Sequence, residues 1–222
     1  MLFRSNITYI GRCLDWKVNP ILKVICDVSK YDFKGLNVVL HIITDNIESF
    51  RKFIGCYSSH LEIKFHSEIG GEELRMFLSS TSDLHIGMGT SCLEGSALGI
   101  PSILIDAAYK EFPKNYRYKW VFESNNFNLG ELFEEFPPVF TGRQLSEIME
   151  LYLKEDLTDL QSISEKCYEY TKLYHDIHKI SQDFTSQCAL SRLRIREVLY
   201  TDLSYYLKEI LLNTSKSGMY SN

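Results

Sequence analysis

No run of apolar residues approaches the roughly 20 that a membrane-spanning helix needs, and no signal-peptide pattern precedes Ile7. The 6 cysteines, at positions 13, 26, 56, 92, 167 and 188, form no C-x-x-C pair and no zinc-like grouping. Most lie in apolar runs, where a thiol packs as a small hydrophobe. An excess of positive charge is missing too: 24 Lys and Arg against 29 Asp and Glu leave a formal net charge of -5. No global field therefore draws nucleic acid or an anionic membrane, and any phosphate must be held by local geometry. Internal repeats and low-complexity tracts are absent. Together these features predict a reduced, cytoplasmic, soluble protein. Peripheral contact with the inner face of a membrane stays open, because composition is blind to a small patch.

What is present suits a globular chain. Its 222 residues, 45% hydrophobic and 24% charged, allow one substantial core with a helical appendage. Short apolar runs alternate with amphipathic stretches over residues 6 to 135. Strands are expected at 6–10, 37–43, 61–65, 84–86 and 101–105, the second almost continuously apolar, as a strand covered on both faces should be. Between them, Val18, Ile21, Leu22, Ile25 and Val28 recur at helical spacing, with Pro20 in the first turn, where proline is tolerated. Further helices are expected over 46–55, 72–78 and 91–98. This rhythm predicts an α/β fold, a Rossmann-like parallel sheet with helices on both faces. Beyond Pro137-Pro138 a helical C-terminal region follows, with a stripe from Leu157 to Ile177 over about six turns and another helix near Val198 to Leu212. The expected division is 1–140, 141–213, and a frayed tail over 214–222.

The stretch Ile86-Gly87-Met88-Gly89-Thr90-Ser91-Cys92-Leu93-Glu94-Gly95-Ser96-Ala97-Leu98-Gly99-Ile100-Pro101 carries the most information. A strand ends, two glycines permit close backbone approach, and a helix opens on two hydroxyl residues. Backbone N–H groups at such a point favour an anion. Its place beyond a parallel strand is where ligands of open sheets collect. A structural reading competes: Ser91-x-x-Glu94 matches a capping box, and Gly99 before Pro101 is an ordinary helix stop. Spacing alone leaves both readings open.

This stretch resembles the donor-site loop and helix of GT-B glycosyltransferases, in particular the retaining group related to glycogen and sucrose synthases. A second match lies near the start. Ile7-Thr8-Tyr9-Ile10-Gly11-Arg12, with Lys17 five residues after Arg12, is similar to the first strand of that family's donor domain. The resemblance covers roughly residues 6 to 135. It implies that residues 1–140 bind a nucleotide-sugar donor through Gly87, Gly89, Thr90, Ser91 and Glu94, with Glu94 accepting hydrogen bonds from ribose hydroxyls. Arg12 and Lys17 would stabilise the departing diphosphate, in keeping with the value of fixed cations where negative charge develops. Many relatives carry another Glu eight positions before Glu94. Here that position is Ile86, so more of the holding falls to the Gly87–Ser91 backbone.

The resemblance further implies no catalytic metal, no cofactor and a saccharide or glycoconjugate acceptor. The acceptor site and any catalytic base would belong to a separate domain or chain, for which this sequence leaves no room. If the stripe from Leu157 to Ile177 lies open, a missing partner is implied; if it folds onto its own sheet, the domain can stand alone. A non-catalytic nucleotide-binding or interaction module, left by truncation of a glycosyltransferase, is the reading from another class. His175 and His178, three apart on an expected helix, read as solvent-facing, and His66 as a loop residue. Lys110 to Trp120, which mixes cations with aromatics, reads as a mobile charged loop.

Overall fold

A computed structural model of the chain describes residues 4–30, 37–55, 57–125, 127–153 and 157–190. These group into two compact units, Met1–Asp176 and Ile177–Asn222. The expected helix at Val198–Leu212 and the tail lie outside the described residues. Within the first unit the order is β1 (Arg4–Ile10), α1 (Asp15–Lys30), β2 (Asn37–Ile43), α2 (Ile47–Phe53), β3 (Leu61–His66), α3 (Gly71–Thr81), β4 (Leu84–Gly87), α4 (Thr90–Ser96) and β5 (Ser102–Leu104). Two-residue strands β6 (Ala107–Ala108), β7 (Lys119–Trp120) and β8 (Leu132–Phe133) follow, then α5 (Leu145–Leu153) and α6 (Leu157–Tyr174). In the second unit, α7 spans Ile177–Leu190. No described helix is long and apolar enough to cross a membrane.

The main sheet runs β3-β2-β1-β4-β5-β7, parallel through its first five strands and closed by antiparallel β7. Ile7 aligns with Leu40 on one side and Leu84 on the other, which fixes the register at the centre. Because successive side chains point to opposite faces, each strand serves two layers. Ile7, Tyr9, Leu40, Ile42, Leu84 and Ile86 join the cluster containing Val18, Ile21, Val24 and Val28 of α1, and Ile148 and Met149 of α5. Each such aliphatic burial contributes about 2 kcal/mol. The alternate positions Thr8, His41 and His85 are buried and polar. They need hydrogen bonds there, and find them, as described below. Helix α6 lies on its own unit: Cys167 and Tyr170 are buried with Cys92, Leu104 and Val121.

Three expectations change. Helix α1 begins at Asp15, so Pro20 is its sixth residue rather than part of its first turn. The ring is buried and leaves the Trp16 carbonyl without its usual i+4 donor. The stripe expected from Leu157 to Ile177 is interrupted: α6 stops at Tyr174, and Ile177 opens α7. His175 therefore sits in the break and His178 in α7, not together on one helix. Lys110–Trp120 is no exposed loop throughout, since Tyr116, Tyr118 and Trp120 are all buried. Aromatics at every second position are a strand pattern, and Lys119–Trp120 indeed pairs with β5.

Candidate functional site

A cavity of about 510 Å³ opens beyond the carboxyl ends of β1, β2 and β4. Here the chain order reverses across the sheet, since β1 has β2 on one side and β4 on the other. Ile10, Ile43 and Ile69 supply apolar wall, Met88 to Ser91 the glycine loop, and Arg12, Trp16 and Lys17 a cationic side. The segment Leu129–Leu132 forms the remaining wall, with Glu131 among it. Its backbone is tied in place: Gly89 N–H donates to Leu129 O at 2.7 Å, and Ala107 N–H to Glu131 O at 2.7 Å. Neither that wall nor Asp45 and Trp16 was legible as site beforehand. The turn residues Asn128 and Gly130 were the available signal for the former.

The cations are placed by local chemistry. Gly11 follows β1, and a Cβ there would come within 2.6 Å of the Tyr9 phenol. Without that Cβ, the buried Tyr9 ring folds under the loop and its hydroxyl reaches the Lys17 carbonyl at 3.4 Å. Asp45, beyond β2, accepts the Cys13 N–H at 2.9 Å and so joins the two strand-end loops. Burial lowers the Lys17 pKa, and the like charge of Arg12 lowers it further. Among the described residues neither Arg12 nor Lys17 makes a side-chain hydrogen bond or an ion pair. Asp45 favours the charged form of Lys17 without pairing with it, and two adjacent cations with no ion-pair partner among the described residues favour an incoming anion.

The glycine loop has its own constraints. Gly89 has φ 59 and ψ -145, outside the range of ordinary L side chains, and serves as the N-cap of α4. The helix therefore starts at Thr90, Ser91 is already inside it, and no side chain caps it. The capping-box reading of Ser91 and Glu94 falls with that. Instead Ser91 Oγ donates to Met88 O at 2.8 Å and closes the loop on itself. At Gly87 a Cβ would meet the Cα and N of Cys92 at 2.7 Å, so only glycine lets α4 lie this close to β4. Gly89, Thr90 and Ser91 line the cavity, whereas Glu94 is exposed on α4 and does not.

Beneath the loop, His85 is fully buried and bridges two elements. Its Nε2–H donates to Ser91 O at 2.8 Å, which leaves Nδ1 to accept from Thr8 Oγ1 at 2.9 Å. Gly95 makes room for the ring, since a Cβ there would lie 2.5 Å from it. Burial pushes the His85 pKa down to about 4. In the unfolded chain the group protonates near its ordinary value of about 6.5, so between the two values the unfolded state binds more protons. The His85 contribution is thus complete above that upper value and fades as pH falls towards 4, by on the order of 3 kcal/mol in total. His66, also lowered by burial and then by Lys64, acts with the same sign. It ends β3, and its Nε2 lies 2.9 Å from His41 Nδ1. Urea midpoints should fall steadily from pH 7 to 4.5; a constant midpoint would contradict this account.

Among the described residues no group of three or more His, Cys, Asp and Glu is placed to hold a metal ion. No protein-family model matches the chain, and no curated protein does. Among solved structures the chain is similar to a trehalose-6-phosphate synthase (TM-score 0.49, 12% identity), over 86% of this chain and 46% of that one. It is also similar to the catalytic domain of cholesterol-α-glucosyltransferase from Helicobacter pylori (TM-score 0.45, 17% identity), over 78% and 99%. A third is the C-terminal domain of a group 1 family glycosyl transferase from Francisella tularensis (TM-score 0.44, 15% identity), over 78% and 87%. The chain spans less than half the length of the trehalose-6-phosphate synthase. The likeness concerns the course of the chain alone.

Proposed function

We propose that the cavity binds the diphosphate of a nucleotide-sugar, and that the chain is the donor-binding domain of a metal-independent, retaining glycosyltransferase. The observation carrying this reading is that Arg12 and Lys17, without an ion-pair partner among the described residues, face the same 510 Å³ cavity as the Gly89–Ser91 backbone. Guanidinium and ammonium neutralise phosphate oxygens, the loop permits close approach, and Ile10, Ile43 and Ile69 offer apolar surface to the rest of the ligand. Gly87 serves by shaping the loop. Glu94 is assigned to the ribose hydroxyls on sequence resemblance alone, since it lies off the cavity wall. The saccharide or glycoconjugate acceptor, and a group assisting transfer, are assigned to another domain or chain.

Calorimetric titration with ADP, GDP, UDP and their glucose conjugates tests the reading. Saturable binding of one nucleotide series, unchanged by EDTA, is expected. Absence of binding across the panel would overturn it. In the same titration Glu94→Ala should weaken binding about fivefold, the effect of losing one hydrogen-bonded contact. Unchanged affinity would remove Glu94 from the site.

A further inference from the structure

Trp16 stands in the first turn of α1, half-buried against the main core cluster and lining the cavity. The Lys17 ammonium lies 4.9 Å from the centroid of its ring. Consecutive residues on a helix do not ordinarily face one another. Here the lysine turns back over the indole instead of reaching a carboxylate, although Asp45 lines the same cavity. The difference matters chemically. A carboxylate would occupy the ammonium N–H groups and cancel its charge. An indole face attracts the cation through its quadrupole and accepts no strong hydrogen bond. Desolvation and Arg12 both work against the charged form of Lys17, and the Asp45 carboxylate favours it from a distance; the ring adds to that support without occupying the N–H groups. Resting on the diphosphate reading above, we infer that Trp16 is a positioning residue that holds the Lys17 ammonium over the cavity, charged and with its donors free for phosphate oxygens.

The protein has two tryptophans, and the other, Trp120, is buried in the sheet, so Trp16 can be varied separately. The test is a double-mutant cycle read as affinity for whichever of ADP, GDP and UDP the wild-type chain binds. Trp16→Leu should lower affinity about fivefold, and nothing further should be lost when Lys17 is already methionine. Trp16→Tyr and Trp16→Phe, whose rings also attract cations but less strongly, should restore affinity in part, with Tm unchanged. They decide the matter if the leucine variant does not fold. Equal losses in both Lys17 backgrounds would mean that the ring touches the ligand or merely supports the fold, and would overturn the inference. Aromatic variants no better than leucine would do the same. In either event wild-type binding that is lost in Lys17→Met would leave the diphosphate reading standing. If the wild type binds none of the nucleotides, both fall together.

Discussion

Replacing Arg12 and Lys17 together by methionine is expected to lower nucleoside-diphosphate affinity about a hundredfold or more while leaving the urea midpoint nearly unchanged. Each charge-assisted contact contributes about 1.5–3 kcal/mol, and two are removed. The fold should tolerate the change because neither side chain makes a hydrogen bond or an ion pair with another described residue, and the contact of Lys17 with the Trp16 ring is weak. Methionine retains the aliphatic stem, so the lost quantity is charge rather than volume. A pH series separates the two cations. The Lys17 pKa is lowered by burial and by Arg12, so its charge is lost at a lower pH than that of an exposed lysine, and affinity declines with it on the alkaline side. Lys17→Arg should flatten that decline, because guanidinium stays charged throughout. Calorimetry at several pH values reads both effects. Full affinity in the double methionine variant would dismiss these cations from the site.

Gly87→Ala is expected to be strongly destabilising. Its Cβ would meet backbone atoms of Cys92 at 2.7 Å, and backbone cannot rotate aside as a side chain can. Helix α4 would have to lift from β4, with a loss of about 3 kcal/mol. Cys92 is itself fully buried, and Ile105 N–H bonds the Gly87 carbonyl at 3.0 Å, so the disturbance reaches β5. Gly55→Ala is the matched control: nothing lies within 4 Å of its Cβ position and its φ is unexceptional. Denaturant midpoints for the two variants should differ clearly. If they coincide, the close packing of helix on strand is not what this glycine secures.

The central sheet could be read from the sequence because its signals are strong. Asn37–Ile43 is apolar on both faces, and α1 repeats buried residues at 18, 21, 24, 25 and 28. The short strands were illegible for a physical reason: two-residue β6 and β8 have no periodicity to detect. Tyr116, Tyr118 and Trp120 did alternate, but the cations between them masked a strand as a charged loop. Helix α6 ends where the sequence stripe continues into Ile177, so apolar spacing alone did not reveal the stop. Arg12, Lys17 and the Gly89–Ser91 loop line one cavity, whereas Gly87 and Glu94 do not. Trp16, Asp45 and Glu131 were hidden because each is defined by what lies across from it, which no local pattern records.

The wall at Leu129–Leu132 is attached to the rest of the site by peptide groups: Leu129 O and Glu131 O accept from Gly89 and Ala107, and Glu131 N–H donates to Asp106 Oδ1 at 2.9 Å. Leu129 packs against the cluster of Cys92, Leu104 and Val121, but attachment through the main chain leaves the exposed side chains of Glu131 and Leu132 exempt from holding the scaffold. Their identities can drift while the parallel sheet and the glycine loop keep their geometry. This makes the segment an exchangeable cassette. A library diversified at Glu131 and Leu132 would sample new ligand preferences on an unaltered framework.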